Sequence, residues 1–304
     1  MNTWQPLTAH FGVRIEGPDL RSRAMADEWP VIQELFNQRG LVVFRDQHLD
    51  PGDLVAWSLR FGDLRIDSDT QYLLDGHPEV LVIGNLVVDG VTRSLFVNGA
   101  EEWHFDGSYM AEPSLGSLFY AVEVPPEGGD TLFADMVAAY EALDDDTKRL
   151  IEDRVAVHSW EIVHDRLAKQ DPTRPALTDE DRVRFPPVGH RLVQRHPETG
   201  RKCLRVCADS VSYVEGLSVD EGLALVERLM RHAIDPRFIY RHRWRKGDLI
   251  AFDNRRLLHT ATVFDTRKYL RVMHRTTIVG HTWDTPGPRC TDQSEPTMTS
   301  KQGA

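Results

Sequence analysis

The stretch FIYRHRWRKGDLIAFDNRRLLHTATVFDTRKYLRVMHRTTIV, Phe238–Val279, decides the fold. It holds three β-rich runs, Phe238–Trp244, Asp248–Phe252 and Tyr269–Val279, each too short for a stable helix and rich in aromatic and branched residues. Asp253-Asn254 is a turn signal between them, and His259 starts or precedes a further strand. Within Tyr269–Val279 the alternation puts Arg271, Met273 and Arg275 on one face, with Val272, His274 and Thr276 on the other.

The same signature recurs upstream, at Val80–Ile83, Leu118–Val124, Leu192–Gln194 and Lys202–Cys207. Many short strands in succession predict a jelly-roll or barrel. Before position 65 the pattern is α/β: a helix over Asp27–Gln38, the apolar strand Leu41–Phe44 and a helix over Gly52–Phe61. Two more helices are expected, Val137–Arg154 and Val219–His232, the second behind the capping box Ser218-x-x-Glu221. His158–Pro187 is charged and irregular, a candidate lid over the barrel mouth. No repeat or low-complexity linker divides the chain, so one domain over 1–283 is the simpler organisation, with a helical insertion at about 135–190 and a polar tail over 284–304.

With 304 residues, 41% hydrophobic and 27% charged, the chain is long enough and apolar enough to bury a large core. Its net charge of -11 argues against nucleic acid as a partner, because the densest basic run, Arg241–Lys246, reads as a strand. Small anions remain compatible, since a few buried arginines suffice to bind them. Cys203, Cys207 and Cys290 are too few for a disulfide framework and read as plain thiols. The N-terminus lacks a signal-peptide pattern and no window approaches a membrane span, so a reducing, cytoplasmic setting without membrane contact is expected.

Trp103-His104-Phe105-Asp106 puts an imidazole and a carboxylate two residues apart, hence on the same side of an extended chain. His-x-Asp is a frequent accident in a chain with 13 histidines, so context has to carry it. His259 lies 153 residues beyond Asp106 (259 minus 106), compatible with two strands meeting across a closed barrel. Two histidines and one carboxylate would leave about three positions of an octahedral ferrous ion open for substrate and O2. Arg271 and Arg275 share a strand face, and isolated guanidiniums inside a barrel are costly unless they meet anions. Read alone, both are better placed on a solvated face, and Thr131, after Gly128-Gly129, is better read as an ordinary strand hydroxyl. His274 falls on the opposite face, His196 in a turn, and Trp103 in the core.

Taken together these residues resemble the taurine dioxygenase family of Fe(II)/2-oxoglutarate oxygenases, which includes the 2,4-dichlorophenoxyacetate dioxygenases. The resemblance runs through nearly the whole chain: Gly40-Leu-Val-Val-Phe-Arg45 with Phe61-Gly62, Trp103-His-Phe-Asp106, Pro125-Pro-Glu-Gly-Gly-Asp-Thr131, His196-Pro-Glu-Thr-Gly-Arg-Lys202, Gly247-Asp-Leu-Ile-Ala-Phe-Asp-Asn-Arg255, His259 and Arg271-Val-Met-His-Arg275. It implies a mainly β fold with flanking helices around a double-stranded β-helix (jelly-roll) core. It also implies that His104, Asp106 and His259 bind iron, that Thr131 and Arg271 hold the distal carboxylate of 2-oxoglutarate, and that Arg275 sits between the metal and an acidic substrate group. Two departures argue against taurine: Ala100 replaces the asparagine four residues before the first ligand, and Arg65–Leu74 contains no histidine. His242-Arg-Trp, Gly247-Asp-Leu and Tyr213-Val-Glu-Gly216 are closer to the phenoxyacetate branch.

The expected activity is hydroxylation of a small carboxylate-bearing, aryloxy-type anion by O2, with 2-oxoglutarate converted to succinate and CO2. An alkyl sulfate or sulfonate dioxygenase, or an oxygenase tailoring an amino-acid-derived metabolite, stays open within the enzyme class. A non-catalytic, cupin-like metal-binding module is the reading of a different class. A halogenase is disfavoured, because Asp106 fills the place that halide would need. Homo-oligomerisation is left open.

Overall fold

The Phe238–Val279 stretch forms four strands, and successive strands go to opposite sheets. In the computed structural model, which describes residues 3–17, 19–67, 70–95, 102–170 and 174–280, Ile239–His242 and Leu257–Ala261 flank Thr131–Asp135 in a three-stranded antiparallel sheet. Leu249–Asp253 and Val272–Ile278 instead flank Gly116–Glu123 in a nine-stranded sheet. From Leu249–Asp253 that sheet continues through Leu41–Phe44 and Val13–Glu16 to Thr3–Pro6. On the other side it runs from Val272–Ile278 through His77–Gly84 to Leu73–Leu74, and Leu64–Arg65 also pairs with Val272–Ile278. Among the named strands described, only Val13–Glu16 and Leu41–Phe44 pair in parallel within it. The result is a mixed, sheet-rich fold.

The inner core lies where the two sheets meet. Phe119 and Phe252 of the large sheet stack with centroids 5.9 Å apart, and Phe133 of the small sheet meets Phe252 at 5.4 Å. Leu41, Val43, Leu81, Ile250 and Met273 complete this layer, each buried apolar side chain contributing about 1.5–3 kcal/mol relative to exposure. Val42, Phe44, Leu118 and Ala251 point the other way, toward the helices Trp29–Arg39 and Pro51–Ser58. Covered on both faces, Leu41–Phe44 therefore reads as an unbroken apolar run rather than an alternating one. A third cluster joins the amphipathic helix Val219–Ala233 to Met136–Glu141 and holds Cys203 and Cys207 as free, buried thiols. Burial pushes the Cys203 thiol up to about 12, which suits packing and not chemistry.

Several expectations need correction. The helix expected over Val137–Arg154 is two, Met136–Glu141 and Asp145–Ile151, because the Asp144 carboxylate accepts from the Thr147 amide and caps a new start. His158–Pro187 is not irregular: it carries the helices Trp160–Gln170 and Asp179–Arg184, the latter with a Thr178/Asp181 capping box. Its apolar positions Trp160, Val163 and Leu167 recur at helical spacing but line a cavity, so the charged remainder hides the pattern. The basic run leaves its strand at His242, with Arg243–Lys246 forming the connection. His259 lies in the middle of a strand rather than at its start. Val219–Ala233 forms behind its Ser218/Glu221 capping box as expected. The expected tail 284–304, Cys290 and Ala100 lie outside the described residues. Among the described residues no helix is long and apolar enough to cross a membrane.

The turn after Leu249–Asp253 is locked by buried charge. Asp253 Oδ1 accepts from Arg255 Nε at 2.9 Å, and its Oδ2 accepts from both Arg255 Nη2 at 2.7 Å and His196 Nε2 at 2.9 Å. Arg255 Nη1 also reaches Glu198 at 2.8 Å. His196 thus follows its strand into a turn as expected, yet it is buried and supports the Asp253 turn across the fold. Burial works against the Asp253 charge, but Arg255 and then His196 outweigh it and hold the carboxyl well below its ordinary 3.8. Asp253→Asn leaves the buried Arg255 guanidinium with only the more exposed Glu198 as counterion, and urea denaturation at pH 7 should show a loss toward the lower end of about 3–5 kcal/mol, the range for a broken buried pair. Because the folded value is depressed, the native contribution is complete above pH 4 and fades as pH falls further. The gap between parent and variant should therefore stay constant from pH 7 to 5 and narrow below pH 4; a gap independent of pH would contradict this account.

Candidate metal centre and its cavity

His104, Asp106 and His259 offer ligand atoms that all lie within 4.8 Å of one another. Each arrives by a different device. His259 is held within Leu257–Ala261, opposite Phe133. His104 pairs with it through an isolated antiparallel bridge: His104 N donates to His259 O at 2.9 Å and His259 N to His104 O at 3.0 Å, with ring centroids 4.2 Å apart. His104 Nδ1 donates to the Glu102 carbonyl at 2.8 Å, which leaves Nε2 facing Asp106 Oδ1 at 3.6 Å. His259 Nε2 lies 3.8 Å from the same oxygen.

Asp106 does not continue the extended segment expected for Trp103–Asp106; the chain turns there. Its backbone is fixed instead by Asn254, whose Oδ1 accepts from Asp106 N at 2.8 Å and whose Nδ2 donates to Asp106 O at 2.9 Å. Nδ2 also reaches Ser114 O at 3.0 Å. The sequence marks Asn254 only as a turn residue; its full burial, which would have exposed the role, is invisible there.

The donor set suits a divalent cation. Burial and the neighbouring His104 push His259 down to about 3, so its imidazole is neutral with a lone pair to give. Burial opposes the Asp106 charge, but Arg275 and the two imidazoles hold its carboxyl far below the usual range. Burial works against a charge on His104, but Asp106 outweighs it and raises that imidazole, so metal binding there displaces a proton. Two imidazoles and one carboxylate on one side, with open space opposite, match the facial arrangement that takes ferrous iron.

That space is a cavity of about 730 Å³. On one side, Thr131 and Arg271 line it. The Thr131 hydroxyl accepts from Trp244 Nε1 at 3.0 Å. Arg271 precedes its strand, its backbone N–H bound by Asn85 Oδ1 at 2.8 Å and its Nε donating to Gly129 O at 3.3 Å. At Gly129, φ is +65° and a Cβ would stand 3.2 Å from Arg271 Cδ, so glycine is what lets the guanidinium stem lie against the turn. Burial pushes the Arg271 guanidinium down to about 10, with Asp130 opposing.

Arg275 lies on the cavity face with Arg271, as the alternation requires, while Thr276 on the opposite face meets Ser58 at 2.6 Å. Its Nη1 lies 3.4 Å from Asp106 Oδ1 and its Nη2 3.6 Å from Asp67 Oδ2. Asp67 was not singled out from the sequence, since nothing local links it to a strand so far along the chain. The far wall is aromatic: Tyr109 and Trp160 have centroids 4.5 Å apart, and Phe185 lies 5.6 Å from each. His274 and His196 do not line the cavity, and Trp103 packs half-buried against the helical cluster, as expected.

Comparison with known proteins agrees with this geometry. The family described as "Taurine catabolism dioxygenase TauD, TfdA family" matches residues 3–277. The chain is 34% identical over 282 residues to an alpha-ketoglutarate-dependent 2,4-dichlorophenoxyacetate dioxygenase of Cupriavidus pinatubonensis, covering 90% of this chain and 96% of that one. It is 35% identical over 285 residues to an (S)-phenoxypropionate/alpha-ketoglutarate-dioxygenase of Sphingobium herbicidovorans, covering 90% and 94%. Among solved structures, AAD-2 in complex with Mn(II) and N-oxalylglycine superposes with a TM-score of 0.75 at 32% identity, covering 93% of this chain and 99% of that one. The chain belongs to the TauD/TfdA family, and is a non-haem iron dioxygenase that uses Fe(II) and 2-oxoglutarate (alpha-ketoglutarate).

Proposed function

We propose that this dioxygenase hydroxylates a small, carboxylate-bearing substrate of the aryloxy acid type, with O2 and 2-oxoglutarate consumed and succinate and CO2 released. The observation that carries this reading is the convergence of His104, Asp106 and His259 on the floor of a cavity with the buried Arg271 and the partly buried Arg275 on one side and an aromatic wall on the other. The relatives named for aryloxy acids support the choice of substrate class. An enzyme, rather than a silent metal-binding module, accounts for the buried Arg271 and the partly buried Arg275 both facing open space, which a mere scaffold would have no reason to keep.

His104, Asp106 and His259 would hold the iron, which when bound couples O2 reduction to oxidative decarboxylation of 2-oxoglutarate. Thr131 and Arg271 would take the distal carboxylate of 2-oxoglutarate, the hydroxyl oriented by Trp244 and the guanidinium by Asn85 and Gly129. Arg275 would flank the metal side, steadying Asp106 and reaching the anionic end of the substrate. Trp160, Tyr109 and Phe185 would exclude water from the apolar body. Hydroxylation at a carbon next to an ether oxygen gives a hemiacetal, whose collapse cleaves the ether.

The alternation of strands between two sheets supports a double-stranded β-helix core within one domain over 1–283. Trp160–Gln170 and Asp179–Arg184, within the insertion at about 135–190, would form the cover over its mouth. A cytoplasmic enzyme without nucleic-acid or membrane partners fits the acidic composition, and self-association is compatible with it.

His259→Ala should lose ferrous binding in a metal titration together with substrate-dependent succinate release, while far-UV dichroism stays that of the parent. Parent-like iron binding and turnover in this variant would remove the assignment. Arg271→Ala should raise the 2-oxoglutarate requirement by about 30-fold to several thousand-fold, the range for truncating one partner of a buried charge pair. An unchanged titration of the metal-to-2-oxoglutarate absorption band would exclude that role. Succinate release against a panel of aryloxyacetates, alkyl sulfates and sulfonates tests the substrate class, and stimulation by sulfates alone would overturn it.

A further inference from the structure

The arginines around the cavity are not equally engaged. Arg166 lies 3.4 Å from Asp209, and Arg275 is shared between Asp106 and Asp67. Arg65 differs: its Nη1 meets the Met110 sulfur at 3.2 Å and its Nη2 donates to the Glu112 carbonyl at 3.3 Å, both neutral partners. Its position is tied to the metal side. Arg65 stands directly opposite Thr277 in the antiparallel pairing with Val272–Ile278, and Arg275 is two residues from Thr277 on the same face. Arg65 and Arg275 are therefore diagonal cross-strand neighbours, with backbones about 7–8 Å apart. Arg65, Arg275 and Thr277 all line the cavity, and Arg65 Nη1 lies 3.7 Å from where a Cβ would sit on Gly107, the residue after Asp106.

Resting on the reading above, we propose that Arg65 and Arg275 form a two-arginine clamp for the substrate carboxylate, and that Arg65 sets the preference for an anionic over a neutral substrate. Two guanidiniums that face one cavity from neighbouring strands repel each other, and a carboxylate between them relieves the repulsion while meeting both forks. Asp67 holds the outer nitrogen of Arg275 and so turns its remaining donors inward. With Asp106 engaged by metal, Arg275 has donor capacity to share with an incoming anion, and Arg65 has no competing carboxylate in either contact described for it. The clamp lies beside the metal loop and the aromatic wall lies beyond it. The substrate class this selects is an arylcarboxylic acid oxidised one or two bonds from its carboxylate, with the ring against Trp160 and Phe185.

The test compares phenoxyacetate with 2-phenoxyethanol, nearly the same shape without the charge, by calorimetric titration of the Fe(II)- and 2-oxoglutarate-loaded enzyme. The parent should favour the acid by about tenfold or more, Arg65→Gln should lower that preference by about tenfold, and Arg65→Lys, which keeps the charge but not the fork, should recover part of it. Arg65→Gln with an undiminished preference overturns the clamp, as does a parent that does not distinguish the two compounds. Succinate release in the same samples keeps the readings apart. An acid preference that depends on Arg65, without stimulated succinate, supports the clamp and removes the aryloxy acid substrate.

Discussion

Two backbone hydrogen bonds between His104 and His259 are the constraint on which the centre depends. They form an isolated bridge in which each histidine both donates to and accepts from the other, so the two rings are side by side before any side chain is considered. The carboxamide of Asn254 repeats the same logic at Asp106, binding its backbone N–H and carbonyl together. The three groups proposed as ligands are thus placed by main-chain geometry and by a buried amide. That leaves Nε2 of each imidazole facing Asp106 rather than tied into the fold, and keeps the donors rigid enough to converge.

Charge is arranged with equal economy. The chain as a whole is strongly acidic, yet its cavity gathers arginines and distributes carboxylates among them. Asp67 and Asp106 bracket Arg275, whereas Arg271 is met mainly by backbone groups and by the more distant Asp130. A guanidinium that carries its own counterion rests at low cost when the site is empty of substrate. One that lacks it favours occupancy by an anion, in keeping with the roles proposed for Arg275 beside the metal and for Arg271 at the co-substrate.

Much of this was legible in the sequence where the signal is local. Ser218 and Glu221 announce a helix start, Leu41–Phe44 announces a covered strand, and the alternation from Arg271 to Arg275 puts both arginines on the cavity face. His104, Asp106 and His259 could be paired only through their spacing and the resemblance of their surroundings. What escaped was set by partners far along the chain: Asn254 against Asp106, His196 against Asp253 and Asp67 against Arg275. The helices in 158–187 escaped for a different reason, since their apolar stripe faces a cavity and charged residues occupy the rest of the surface.

The separation of the two histidines along the chain also bears on how the protein is made. His104 and Asp106 leave the ribosome long before His259, and the bridge that unites them needs the small sheet to be complete, with Leu257–Ala261 in place beside Thr131–Asp135. With the iron held as proposed, a nascent chain would present a histidine and a carboxylate but no three-sided grip on it. Oxygen-activating chemistry would then be withheld until the strands that shield it have closed around it, sparing an unfinished or partly unfolded chain from oxidising itself.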